Sequence, residues 1–181
     1  MFLLRASFPD VILAFAPVRI RPLILAFAVR INFINYDLEA PSVLFIDPIT
    51  EGPLAIDQLL TLLPRKVGEQ MVTQPNGQQM QMPNLSNLVQ AHPPHQIPFL
   101  CLPGVREYHA HPAHSNDPWL THRGNGEGSL GFIIDQLHKY GTDPVNGYTP
   151  KNYNINTPVP GVVQLQAFGL GLTVDTNRIP S

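Results

Sequence analysis

The densest apolar stretches lie early and come as two near-copies, residues 11–20 and 23–31, separated by Arg21 and Pro22. Both are rich in β-branched and aromatic residues, which favour strands. Their close spacing predicts an antiparallel hairpin, with Pro17 placing its strand near an edge or a bulge. A third strand is predicted over 42–46, after a turn at Asn35 to Asp37 and before Asp47 and Pro48.

The pattern then changes period. Pro53 stands where a helix can begin, and Leu54, Ile56, Leu59, Leu60 and Leu63 fall near helical spacing before Pro64, which predicts a short core helix. Residues 65–88 are Gln- and Asn-rich around a turn signal at Gln74 to Gly77, and read as a long hairpin or mobile loop. Residues 97–101 are short and apolar, and 105–111 are read as extended. A second helix is predicted over 129–140. Ser129 is its cap, Leu130, Ile133, Ile134 and Leu137 form an i, i+3, i+4, i+7 stripe, and Gly141 is its left-handed stop. A last strand is expected over 162–168, after a Pro-rich surface loop.

With 181 residues the chain fits a single domain, and a formal net charge of −2 with 13% charged residues lacks the basic footprint of a nucleic-acid binder. One cysteine excludes an internal disulfide and suits a reducing compartment, so the cytoplasm is expected. The apolar start at Met1 to Leu4 is interrupted by Pro9 and Asp10, which argues against a signal peptide. Arg19, Arg21 and Arg30 break the apolar runs well short of the roughly 20 residues of a spanning helix, so no membrane segment is expected.

The candidate chemistry lies in Cys101-x5-Glu107-x-His109-x-His111-x2-His114. Thiolate, carboxylate and imidazole are ligands for zinc or a similar metal, and the same thiol is a candidate nucleophile. If 107–111 is extended, Glu107, His109 and His111 share a face, and Cys101 completes a tetrahedral set with His114 in reserve. Cys101, flanked by Phe99, Leu100 and Leu102, reads equally as an inert core thiol. Trp119 reads as a packing residue. The stretch from Gly124 to Gly128 lacks the Lys and Ser/Thr of a phosphate loop and reads as a turn.

The order of these motifs resembles the ubiquitin-conjugating (UBC) fold. Tyr36, Pro41, Val43 and Phe45 resemble that family's Tyr-Pro-x-x-Pro-Pro-x-Val-x-Phe segment. His92, Pro93 and Pro94 stand where its His-Pro-Asn motif precedes the catalytic cysteine, and Trp119 and the Ser129 helix follow. The Cys-Glu-His-His combination also resembles a bacterial predicted metal-binding, conjugating-enzyme-like family found beside ubiquitin-like proteins, their activating enzymes and JAB-type isopeptidases.

These resemblances imply an α+β fold: a UBC-like antiparallel sheet with a helix of the C-terminal half packed on it. They imply one domain over 1–181, with an inserted helix and loop at about 50–91. The implied function is a conjugating-enzyme-like component of a prokaryotic ubiquitin-like modification pathway. Its partners would be a ubiquitin-like protein and its activating enzyme, with Cys101 carrying the modifier and His92 assisting.

The alternative is a zinc-binding accessory or hydrolase domain with Cys101, Glu107, His109 and His111 as ligands and His114 and His122 in reserve. Pro94 replaces the asparagine linked to oxyanion stabilisation, so that role would pass to His92, His95 or a backbone amide. Were Cys101 held by metal, Ser129 is a candidate acyl acceptor, although a plain N-cap is its simpler role.

Overall fold

The computed structural model describes residues 1–92, 97–155 and 165–181. Strands β1 (Phe2–Ser7), β2 (Asp10–Phe15), β3 (Phe27–Asn32) and β4 (Ser42–Ile46) run as an antiparallel meander. After it come β5 (Pro64–Thr73), β6 (Gln79–Asn87), β7 (Val89–Gln90), β8 (Phe99–Leu100), α1 (Arg106–Ala110), α2 (Leu130–Gly141), β9 (Val145–Ile155) and β10 (Leu165–Val174). The main sheet has the order β1-β2-β3-β4-β8-β7, while β5 with β6 and β9 with β10 form separate two-stranded ribbons. The architecture is α+β, built on one large antiparallel sheet. Among the described residues no helix is long and apolar enough to cross a membrane.

Strand alternation sorts the two faces. Leu13, Phe15, Phe27, Val29, Ile31, Val43 and Phe45 point to one side, where Ile133, Leu137 and Tyr140 of α2 cover them. Ile12, Ala14, Ala28 and Ile46 point to the other. There Arg30 donates to the Glu51 carbonyl at 2.9 Å, so the chain after β4 folds back over this smaller face. The hairpin predicted from the near-repeat forms with Val11 opposite Ile31, and the strand predicted over 42–46 is β4.

Several expectations need correction. β2 ends at Phe15, before Pro17, and lies inside the sheet; the edge strand beside it is β1, every residue of which is exposed. In place of a core helix, 53–64 holds only a 3-10 turn at Ile56–Gln58 with nothing buried in it. Its leucines go to tertiary pairing instead: the Leu88 and Val89 N–H groups donate to the Leu63 and Leu62 carbonyls at 3.0 and 3.1 Å. The region 65–88 is a hairpin, β5 to β6, turning where Gly77 N–H donates to the Gln74 carbonyl at 2.9 Å.

Residues 105–111 are not extended, because Arg106–Ala110 is the helix α1. Pro112 stops it by driving His111 to φ −80° and ψ 132°. Gly141 ends α2 without the left-handed conformation; a Cβ there would lie 2.6 Å from the Phe27 ring, so glycine is needed for close approach. The final strand begins, as described, at Leu165. Residues 162–164, the Pro-rich stretch before them, Pro93, Pro94 and His95 lie outside the described residues.

Candidate functional site

Cys101 follows β8 directly. Its N–H donates to the Leu88 carbonyl at 2.7 Å, and the residue is 8% exposed. Gly104 turns the chain at φ 95°, α1 follows, and three 3-10 turns (Pro112–His114, Trp119–Thr121, Arg123–Asn125) lead to α2. Pro112 and Pro118 suit the starts of such turns, because their fixed φ is near the helical value and they bring no N–H to satisfy. The loop closes on itself at two glycines: a Cβ on Gly104 would meet Gly128 N at 2.4 Å, and one on Gly128 would meet Trp119 at 2.7 Å. Trp119 packs as expected, 7% exposed, with its indole N–H donating to the Asp37 carbonyl at 3.1 Å.

This loop carries an imidazole back to the sulfur. His114 Nε2 lies 3.5 Å from Cys101 Sγ, and its ring rests on Tyr108, with centroids 3.9 Å apart and planes at 22°. The Tyr108 hydroxyl donates to Asp117 Oδ2 at 2.7 Å. Asp117 Oδ1 accepts from His122 Nε2 at 2.6 Å, and His122 Nδ1 bonds Glu127.

Protonation follows these contacts. The bonds from His122 and Tyr108 hold the Asp117 carboxyl below its ordinary range. The bond to Asp117, then that to Glu127, raises His122 against the opposing effect of burial. Burial, then the Asp117 bond, pushes Tyr108 up to about 12. Burial also raises the Cys101 thiol, opposed by the positive charge of Arg65.

The remaining predicted residues are tied up elsewhere. Glu107 accepts from the Ser42 hydroxyl and, at 3.1 Å, from Val43 N–H, which pins α1 to β4. His109 uses both nitrogens: Nδ1 donates to the Asp117 carbonyl at 2.8 Å and Nε2 accepts from Gly104 N–H at 3.3 Å. His111 Nδ1 accepts from Ala113 N–H at 3.2 Å. Its ring lies 4.3 Å from that of His92 and 5.6 Å from Phe99, and burial and the two neighbouring imidazoles, His92 and His114, depress its pKa. His92 therefore packs on His111 and Phe99 while His114 reaches the sulfur. Ser129 Oγ accepts from Phe132 N–H at 3.2 Å, an N-cap.

Zinc can be tested against this arrangement. The predicted ligands Cys101, Glu107, His109 and His111 are not brought together. Two of them have every ligating atom engaged by protein, and among the described residues no group of three or more His, Cys, Asp or Glu is placed to hold an ion. Residues 107–111 on one strand face would converge, but on a helix Glu107 and His111 lie one turn apart and His109 points away. Sequence reasoning missed Tyr108, Asp117 and Glu127. Asp117 had a signal, a carboxylate set among closely spaced histidines before a proline.

Fold and site together define an α+β protein with a cysteine–histidine pair at the end of an interior strand of the main sheet. The chain belongs to the Y4jH family, also described as Y4jH-like, which it matches over residues 1–145. That span includes the meander, Cys101, α1 and α2. The chain is also similar to the protein named uncharacterized protein y4jH from Sinorhizobium fredii (strain NBRC 101917 / NGR234). The two are 45% identical over 146 residues, covering 79% of this chain and 71% of that protein.

Proposed function

We propose that this chain is a UBC-like acyl carrier of a prokaryotic ubiquitin-like modification pathway. In this reading the Cys101 sulfur attacks the thioester carbonyl carbon of a ubiquitin-like protein held on its activating enzyme. A new C–S bond forms, the old one breaks, and the departing thiolate takes up the proton that His114 received from the Cys101 thiol. A later amine attack releases the modifier onto its target.

The observation that carries this reading is the 3.5 Å contact between Cys101 Sγ and His114 Nε2. A buried thiol rests protonated, so a base at hydrogen-bond reach is what makes it a nucleophile. The chain order supports it further, running from antiparallel meander to cysteine, short helix, buried tryptophan and α2. His114 takes the assisting role expected of His92.

The test is incubation of the purified chain with a candidate ubiquitin-like protein, its activating enzyme, magnesium and ATP, followed by non-reducing electrophoresis and intact mass measurement. A thiol-sensitive adduct is expected, absent in Cys101→Ala and slower to form in His114→Ala. A wild-type chain that forms no adduct at any residue rejects the proposal.

A further inference from the structure

The inserted hairpin has no part in the scheme so far, yet it enters the fold next to the cysteine. Cys101 N–H donates to the Leu88 carbonyl at 2.7 Å, and Leu88 N–H donates to the Leu63 carbonyl at 3.0 Å. Arg65 follows two positions later, at the start of β5, opposite Ser86. Its Nε is fully buried and has no hydrogen-bond partner among the described residues. A buried guanidinium N–H left unpaired is costly, and a bound acceptor would satisfy it.

Acyl transfer at Cys101 creates a charge that needs a donor. The position that supplies an asparagine amide in conjugating enzymes is Pro94 here, and proline brings neither side-chain nor backbone donor. Attack on a thioester moves the carbonyl π electrons onto oxygen, and that oxyanion needs aimed donors until the C–S bond to the leaving thiolate breaks. A guanidinium is charged at every working pH and offers several N–H groups in one plane.

We propose that Arg65 is the oxyanion-stabilising and thiolate-stabilising residue of acyl transfer at Cys101, delivered by the inserted hairpin in place of the missing asparagine. The proposal rests on the acyl-carrier reading above. The charge of Arg65 already acts on the free thiol, offsetting part of the effect of burial. Among the described residues the other titratable groups facing the sulfur are His114 from the turn after α1 and Tyr108 from α1. Unlike an imidazole or a phenol, the Arg65 guanidinium holds its positive charge throughout the working pH range, so it is the fixed positive charge of the site.

Two readouts on the full chain separate this role from a structural one. Cys101 is the sole cysteine, so iodoacetamide alkylation against pH reports its pKa alone. Transthioesterification from a benzyl thioester of a short peptide ending in Gly-Gly reports acyl transfer without any partner protein. In Arg65→Gln the thiol pKa should rise, and the acylation rate corrected for thiolate fraction should fall by at least about tenfold, on the scale of losing an oxyanion donor. Arg65→Lys keeps the charge, so it should restore the pKa and only part of the rate, and its thermal midpoint guards against misfolding.

An unchanged pKa in a folded Arg65→Gln chain, or a corrected rate equal to wild type, overturns the proposal. A wild-type chain that is never acylated strikes the acyl-carrier reading instead, and the oxyanion role with it. Adduct formation with the full partner set but no Arg65 effect strikes only the present proposal.

Discussion

Replacing Gly141 by alanine tests how α2 is seated on the sheet, the contact that fixes the far end of the site loop. The new Cβ would lie 2.6 and 2.7 Å from two atoms of the Phe27 ring and 3.3 Å from Leu63 Cγ. Ordinary carbon contacts begin near 3.5 Å, so the ring and helix must separate by about 1 Å. Phe27 has nowhere to go: it stacks on Phe15 at 4.9 Å and 17°, meets the edge of Phe45 at 5.8 Å and is 5% exposed.

Overpacking of this kind costs about 1–3 kcal/mol, and the helix preference of alanine returns up to about 1 kcal/mol, less at a last turn. The net expectation is a loss of about 1–2 kcal/mol, a fall of about 2–8 °C in the thermal midpoint for a domain of this size. Gly131 is the internal control, since a Cβ there meets nothing within 4 Å. Gly131→Ala should leave stability unchanged or raise it by up to about 1 kcal/mol. Urea unfolding followed by circular dichroism gives both values. Equal midpoints for the two variants would refute the packing of Phe27 under the helix end.

At the site, Tyr108→Phe keeps the ring beneath His114 and removes only the hydroxyl, so Cys101 alkylation near neutral pH should match wild type, whereas Tyr108→Ala should alter it. Identical alkylation profiles in all three chains would show that the stacked ring does not position His114. The Asp117–His122 pair sets a pH window. Asp117 is depressed, so its contribution is present above the ordinary carboxylate value and lost as pH falls through the lowered one; His122 is raised, so its contribution is present below the ordinary imidazole value and lost as pH rises through the raised one. The stability gap between wild type and Asp117→Asn should therefore be widest between about pH 4 and 6.5 and narrow on either side. Urea midpoints across pH 3–9 measure it, and a gap that widens steadily into alkali would contradict the assigned charges.

What was legible in the sequence follows from burial. β4 is a short apolar run buried on both faces, and α2 carries one apolar face with its cap at Ser129, so pattern and boundary agree. β1 gave no such signal because every side chain on this edge strand is exposed. The leucines of 53–64 have helical spacing, but Ala55 at the N-cap offers no capping oxygen, and pairing of Leu62 and Leu63 with Leu88 and Val89 outweighs a weak local preference. α1 is the costly miss for function. A five-residue helix is too short for apolar period to distinguish it from a strand, and its start after Gly104 and stop before Pro112 are the only local marks. That single change of period redirects His109 from a ligand to a brace.

The density of imidazoles around Cys101 has a structural cause that narrows the chemistry. Between Cys101 and Gly128 the chain holds little regular structure, so its backbone groups need side-chain partners. His109 satisfies Gly104 N–H and the Asp117 carbonyl, and His111 satisfies Ala113 N–H. His122 is held between two carboxylates, Asp117 and Glu127, which occupy both its nitrogens and raise its pKa. Glu107 is spent on β4. Each of these groups is engaged away from the sulfur, which leaves His114 as the loop's imidazole placed to take a proton from Cys101, and the Tyr108 ring stacked beneath it explains how a loop without long helices holds it there.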